Sequence, residues 1–138
     1  MYPDKIFYEP AIDRYELGLY LRKLYHDKTW IPIESHNNIE ELQKSSNKEF
    51  GKMKRFLIIG VRKTHKYVPN HKVSDFLVPY TSSGCSAMCL YCYLVCTYYT
   101  SAYLRVFVNR EAMMAKLKRA AEKYPGSVFE IGSNSDLV

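Results

Sequence analysis

The chain has 138 residues, 47% of them hydrophobic, and a formal net charge of +6. That apolar content excludes a disordered chain and suits one domain of ordinary size. No apolar run approaches the roughly 20 residues that span a bilayer, and Met1-Tyr-Pro-Asp-Lys5 lacks a signal peptide's charged start and apolar stretch, so the expected location is the cytoplasm.

In chain order, Lys5–Glu9 alternates as a short strand that Pro10 stops. Ala11–His26 is predicted as one helix, with Leu17, Leu21, Leu24 and Tyr20 as its apolar stripe and Gly18 weakening it. Trp30–Ile33 is a strand interrupted by Pro32, and Asn37 or Asn38 caps a short helix reaching Lys44. Ser45–Gly51 is polar and reads as a loop. Phe56-Leu-Ile-Ile-Gly-Val61 is a continuous run of β-formers, as in a parallel-sheet strand buried on both faces.

A basic loop follows, with Pro69 and Asn70 as turn formers. Phe76–Pro79 is a short strand that leads straight into Gly84 and a cysteine-rich loop, the place where α/β folds commonly carry cofactors. Tyr93–Thr97 makes a helical turn and Leu104–Val108 a strand. Asn109 caps a helix over Arg110–Tyr124, with Met113, Met114, Leu117, Ala120, Ala121 and Tyr124 as its buried face. Pro125-Gly126 ends it, and Ser127–Ile131 is the last strand. The expected fold class is α/β. Residues 1–74 form an α/β region with the basic segment. Residues 75–138 form the opening strands and helix of a βα barrel, truncated because a barrel needs many more units.

All four cysteines fall between Cys85 and Cys96, whereas a disulfide framework would spread them, so metal or redox use is expected. Cys85-Ser-Ala-Met-Cys89-Leu-Tyr-Cys92 has the spacing C-x3-C-x2-C. Three thiolates on one tight loop suit a cubane 4Fe–4S cluster and leave one iron open. S-adenosylmethionine is the usual small molecule at such an iron in radical chemistry. The plain alternative is structural zinc, but zinc sites usually draw on two separated ligand pairs, and no second pair exists here. From Phe50 to Ser74 there is no Asp or Glu, against Lys52, Lys54, Arg55, Arg62, Lys63, Lys66 and Lys72. Such a one-signed stretch attracts nucleic acid; its plain alternative is a solvated basic surface. His26, His36, His65 and His71 show no ligand spacing among themselves.

The cysteine motif, with Tyr91 in its aromatic position, resembles the signature of the radical S-adenosylmethionine superfamily. Further stretches resemble the spore photoproduct lyase family. They are Ser35-His36-Asn37, Ile59-Gly60-Val61-Arg62-Lys63-Thr64, Tyr91-Cys92-Tyr93-Leu94, Tyr103-Leu104-Arg105, Val108-Asn109, and Phe129-Glu130 leading to Ser135-Asp136. The family's chains are far longer, so this one is similar to their N-terminal part and ends near the second barrel strand. Later strands supply much of the family's cofactor and lesion sites.

The resemblance implies a radical lyase that uses a 4Fe–4S cluster and S-adenosylmethionine to split the methylene-bridged thymine dimer in DNA. Cys85, Cys89 and Cys92 would hold the cluster. Tyr91, Ser135 and Asp136 would lie at the cofactor, although Tyr91 could be a core ring and Ser135 and Asp136 could merely end a strand. Tyr93 would lie on the hydrogen-transfer route, although it could likewise be a packing ring. The family's hydrogen-donating cysteine is replaced by Ser133, and Cys96, a spare thiol or else a small buried hydrophobe, would take its place. Arg62, Lys63 and Lys66 would meet the DNA. The implied partners are photoproduct-bearing DNA and an electron donor such as ferredoxin or flavodoxin; the rest of the barrel would come either from a separate chain or from a longer form of this one. Two other readings stay open: a non-catalytic iron–sulfur or zinc nucleic-acid-binding module, and a radical enzyme with another substrate.

Overall fold

A computed structural model of the chain describes residues 3–43, 47–70, 73–78, 81–87, 89, 91 and 103–131. Its main layer is a five-stranded sheet built on β3 (Phe56–Gly60), the run of β-formers, every residue of which is buried. β1 (Lys5–Tyr8) pairs with it in parallel, and β2 (Thr29–Pro32) pairs with β1 in parallel. Pro32 does not interrupt β2; it ends it, at a sheet edge where its missing N–H costs no ladder bond.

Alternation along β1 and β3 splits the core in two. Phe7, Phe56 and Ile58 join Ile39, Leu42 and Tyr103 in one cluster. Ile6, Leu57 and Ile59 join Ile12 and Val108 in the other.

The single helix expected over Ala11–His26 is two elements: a 3-10 turn at Pro10–Arg14, and α1 at Glu16–Leu24. Extended Tyr15 separates them (φ −118°, ψ 138°). Gly18 is required there, since any Cβ would collide with the Ile12 carbonyl. Leu17 and Leu21 pack on the core, but Tyr20 and Leu24 face solvent. Arg22 of α1 bonds Asp13 and lies over the Tyr8 and Trp30 rings, tying α1 to β1 and β2.

α2 (Glu40–Gln43) begins later than an Asn37 or Asn38 cap would place it, because Asn38 N–H closes a turn on the Ser35 carbonyl. The expected loop from Ser45 holds a 3-10 turn (Asn47–Glu49) and runs into α3 (Phe50–Met53).

The basic loop contains β4 (Val68–Pro69), antiparallel to β5 (Phe76–Leu77). β5 does not lead straight to the cysteines. β6 (Ser82–Ser83) intervenes and lies antiparallel on β7 (Leu104–Phe107), which is parallel to β3. Residues on both sides of position 74 therefore share the large sheet. A smaller three-stranded sheet has the order β4-β5-β8, with β8 (Phe129–Glu130) parallel to β5.

α4 (Arg110–Lys123) buries only Met113 fully; Leu117 and Ala120 are half-buried, and Met114, Ala121 and Tyr124 are exposed. Asn109 precedes α4 without capping it through its side chain. Among the described residues, no helix is long and apolar enough to cross a membrane.

Candidate functional site

The cysteine loop leaves β6 through Gly84, whose φ of +87° strongly favours glycine and which lies against the Tyr103 carbonyl. Cys85 is half-buried and Cys89 exposed, and neither is in a disulfide. The Ala87 N–H donates to Cys85 Sγ at 3.3 Å, the kind of sulfur hydrogen bond that tunes iron–sulfur sites. Lys54 is only 3% exposed, and its ammonium donates to the Cys85 carbonyl at 2.6 Å. A member of the basic stretch thus turns inward and fastens the loop.

Tyr91 is 91% exposed. Cys92, Tyr93, Cys96, Ser133, Ser135 and Asp136 lie outside the described residues. Among the described residues, no group of three or more His, Cys, Asp or Glu could hold a metal, the motif's third cysteine not being one of them. Two thiols four positions apart, one half-buried and one exposed, with a donor to sulfur and an anchored backbone, fit a thiolate-held cluster.

Beside this loop is a cavity of about 280 Å³, lined by the 35–37 and 62–64 segments together with Ser83, Arg105 and Phe107. It sits beyond the carboxyl ends of β1 and β3, the usual ligand position in open α/β sheets. Its floor is organised by buried Glu9. One carboxylate oxygen accepts from His36 N–H and stands 2.7 Å from His36 Nδ1; the other accepts from Val61 N–H at 2.8 Å. Burial opposes ionisation of Glu9, yet the bonds from Val61 and His36 outweigh it and hold the carboxyl below its ordinary range.

The Asn109 side chain accepts from Arg62 N–H at 2.9 Å and donates to the Arg62 carbonyl at 2.8 Å, fixing the bend after β3. The Arg62 guanidinium then lies 5.2 Å from the Phe107 ring centre.

Among the described residues, three cations, Arg62, Lys63 and Arg105, line the cavity, and no carboxylate does. Arg105 Nε is buried without a hydrogen-bond partner. Sequence reasoning assigned no function to Arg105, although a lone arginine between the apolar residues of a strand was the available signal. Arg62 and Lys63 both line this cavity, whereas Lys66 lines a different cleft.

A family model described as spore photoproduct lyase matches residues 1–138. The spore photoproduct lyase of Geobacillus sp. (strain Y412MC61) is 28% identical over 144 residues, and that of Bacillus subtilis (strain 168) is 31% identical over 142. Each match covers 99% of this chain and 41% of the relative, so the chain spans about two-fifths of the length of these curated relatives. Among solved structures, spore photoproduct lyase complexed with dinucleoside spore photoproduct aligns with a TM-score of 0.84 at 27% identity, over 99% of this chain and 41% of that one. A doubly substituted lyase with bound AdoMet and dinucleoside spore photoproduct aligns with a TM-score of 0.84 at 26% identity, with the same coverage.

Proposed function

The chain belongs to the spore photoproduct lyase family, and from that premise we propose that it forms part of a radical DNA-repair lyase that splits the methylene-bridged thymine dimer back to two thymines. The observation that carries this reading is the position of Cys85, the first cysteine of the C-x3-C-x2-C motif, two residues after Ser83 of the cationic cavity's lining.

Cys85, Cys89 and Cys92 are the cluster ligands in this proposal, with S-adenosylmethionine at the iron that three cysteines leave open. The bound pair supplies the one-electron chemistry that starts repair. The chain's own work is positioning. Lys54 and Gly84 set the path of the loop. Arg62, Lys63 and Arg105 offer donors to a phosphate of the lesion strand, and Lys66 extends the basic face. Tyr91, Ser135 and Asp136 serve the cofactor. Tyr93 and Cys96 carry the returning hydrogen, since a serine O–H at position 133 is a poor hydrogen-atom donor. Lesion bases in a duplex would be turned outward to reach the site. The parallel neighbours β5 and β8 are the first two barrel strands in this reading. Residues 1–74 supply the basic segment and residues 75–138 the cluster loop, the two spans sharing the large sheet, and further polypeptide, in this chain's own continuation or a separate chain, supplies the remaining strands. A small reduced carrier such as ferredoxin or flavodoxin supplies the electron.

Anaerobic reconstitution followed by iron and sulfide analysis tests the proposal. The expected result is about four irons per chain, lost in Cys85→Ala, Cys89→Ala and Cys92→Ala and retained in Cys96→Ala. Stoichiometric zinc without sulfide would sink it, as would retention of the cluster in Cys85→Ala.

A further inference from the structure

We propose that the cleft between α4 and the three-stranded sheet is a second nucleotide subsite, which takes a base and its phosphate from the DNA strand flanking the lesion. The inference rests on the DNA-repair reading above.

The cleft encloses about 570 Å³. Its apolar wall is made by Tyr67, Phe76, Tyr124 and Phe129. The Phe76 and Phe129 rings stack at 5.5 Å, and Tyr124 lies 5.1 Å from Phe76, so the wall is a continuous aromatic surface. Its rim carries Lys66, Arg119 and Lys123, and among the described residues no carboxylate lines it. Aromatic faces with interleaved cations are what single-stranded nucleic acid needs: a surface on which bases stack, and charge along the backbone. An uncharged apolar ligand would leave three cations unmatched. A bare anion would leave the aromatic wall uncovered.

Two buried polar atoms point to the same occupant. His65 Nδ1 and Tyr67 OH are buried and have no hydrogen-bond partner, and both residues line the cleft. A nucleobase edge presents acceptors and donors side by side and can meet both.

One loop joins the cleft to the first cavity, supplying Arg62, Lys63 and Thr64 to the cavity and His65, Lys66 and Tyr67 to the cleft. Asn109 braces both halves, bonding the Arg62 backbone and standing 3.4 Å from His65 Nε2. A strand with one phosphate in the cavity has its next units directed along this loop.

Fluorescence anisotropy with the 138-residue chain tests the assignment, using a labelled six-nucleotide single strand, an all-abasic strand of equal length, and a free nucleoside monophosphate. Tyr124→Ala is expected to weaken the intact strand about tenfold and to leave the abasic strand unchanged, whereas Tyr124→Phe retains parental affinity. Arg119→Gln with Lys123→Gln is expected to weaken both strands. All these variants keep parental circular dichroism, and iron content on reconstitution equal to the parent's. The cluster reading can therefore fail independently. Failure of the parent to bind the strand would overturn the proposal, and so would equal losses on intact and abasic strands in Tyr124→Ala. A monophosphate that binds as tightly as the strand would make the cleft a free-nucleotide site and overturn it too.

Discussion

Glu9 accepts three donors inside the protein, two from His36 and one from Val61. Removing its charge leaves those donors poorly matched, and breaking a buried pair of this kind costs about 3 kcal/mol. Glu9→Gln should lose that much in urea unfolding while keeping the fold. The pH dependence has a definite sign. The folded carboxyl titrates below its ordinary 4.5, so the stabilisation is full above that value and fades as pH falls through the lower, folded value. His65 adds an earlier loss. Burial first, then Lys116 and Arg62, depress its affinity for a proton. Stability is therefore expected to begin falling below about 6.5, the ordinary histidine value in which the unfolded chain titrates. His65→Gln should flatten that upper part of the stability–pH curve and leave the part due to Glu9.

At the scale of elements, β3 and α4 make opposite cases. Ile58 is 0% exposed and sits between two neighbouring strands, so Ile58→Ala should cost about 2–5 kcal/mol. Met114, which helical periodicity assigns to a buried face, is 53% exposed. Met114→Ala should fall within about 0.5 kcal/mol of the parent in the same unfolding experiment. The junction before α1 is a third case. Gly18→Ala brings a methyl group onto the Ile12 carbonyl and should destabilise by about 1–3 kcal/mol, despite alanine's better helix propensity. A stabilised Gly18→Ala protein would show that the turn and helix can separate.

For the whole molecule, the fold rearranges the positive charge that the sequence concentrates between Phe50 and Ser74. Lys54 is withdrawn to the Cys85 carbonyl, while Arg105 joins Arg62 and Lys63 from another strand. Neutralising Arg62, Lys63 and Lys66 together should flatten the slope of log affinity for duplex DNA against log salt by up to about 2.7, at roughly 0.9 per lost phosphate contact. Arg105→Gln should remove about 0.9 by itself. An unchanged slope in both would return these side chains to an ordinary solvated surface.

The sequence by itself determined what neighbouring residues settle among themselves. A run of β-formers from Phe56 could be satisfied only by burial on both faces, and three cysteines within eight residues could meet only on one loop. The sequence also contained the matching segments from which the family was read, and the breaks at Pro10 and at Pro125-Gly126. Only the tertiary structure decided which partners distant residues find. Glu9 and His36 are 27 residues apart, Lys54 and Cys85 31, Arg62 and Asn109 47, and each pair meets through the parallel register of β1, β3 and β7 or the return of β6 onto β7. Helical periodicity marks an apolar stripe but not whether another element covers it, which is why Leu24, Tyr20 and Met114 were placed inside and stand outside. Charge behaves the same way. A lysine's sign is written in the sequence, but whether it meets water, a carbonyl or a phosphate depends on which backbone the sheet brings within reach of its ammonium group.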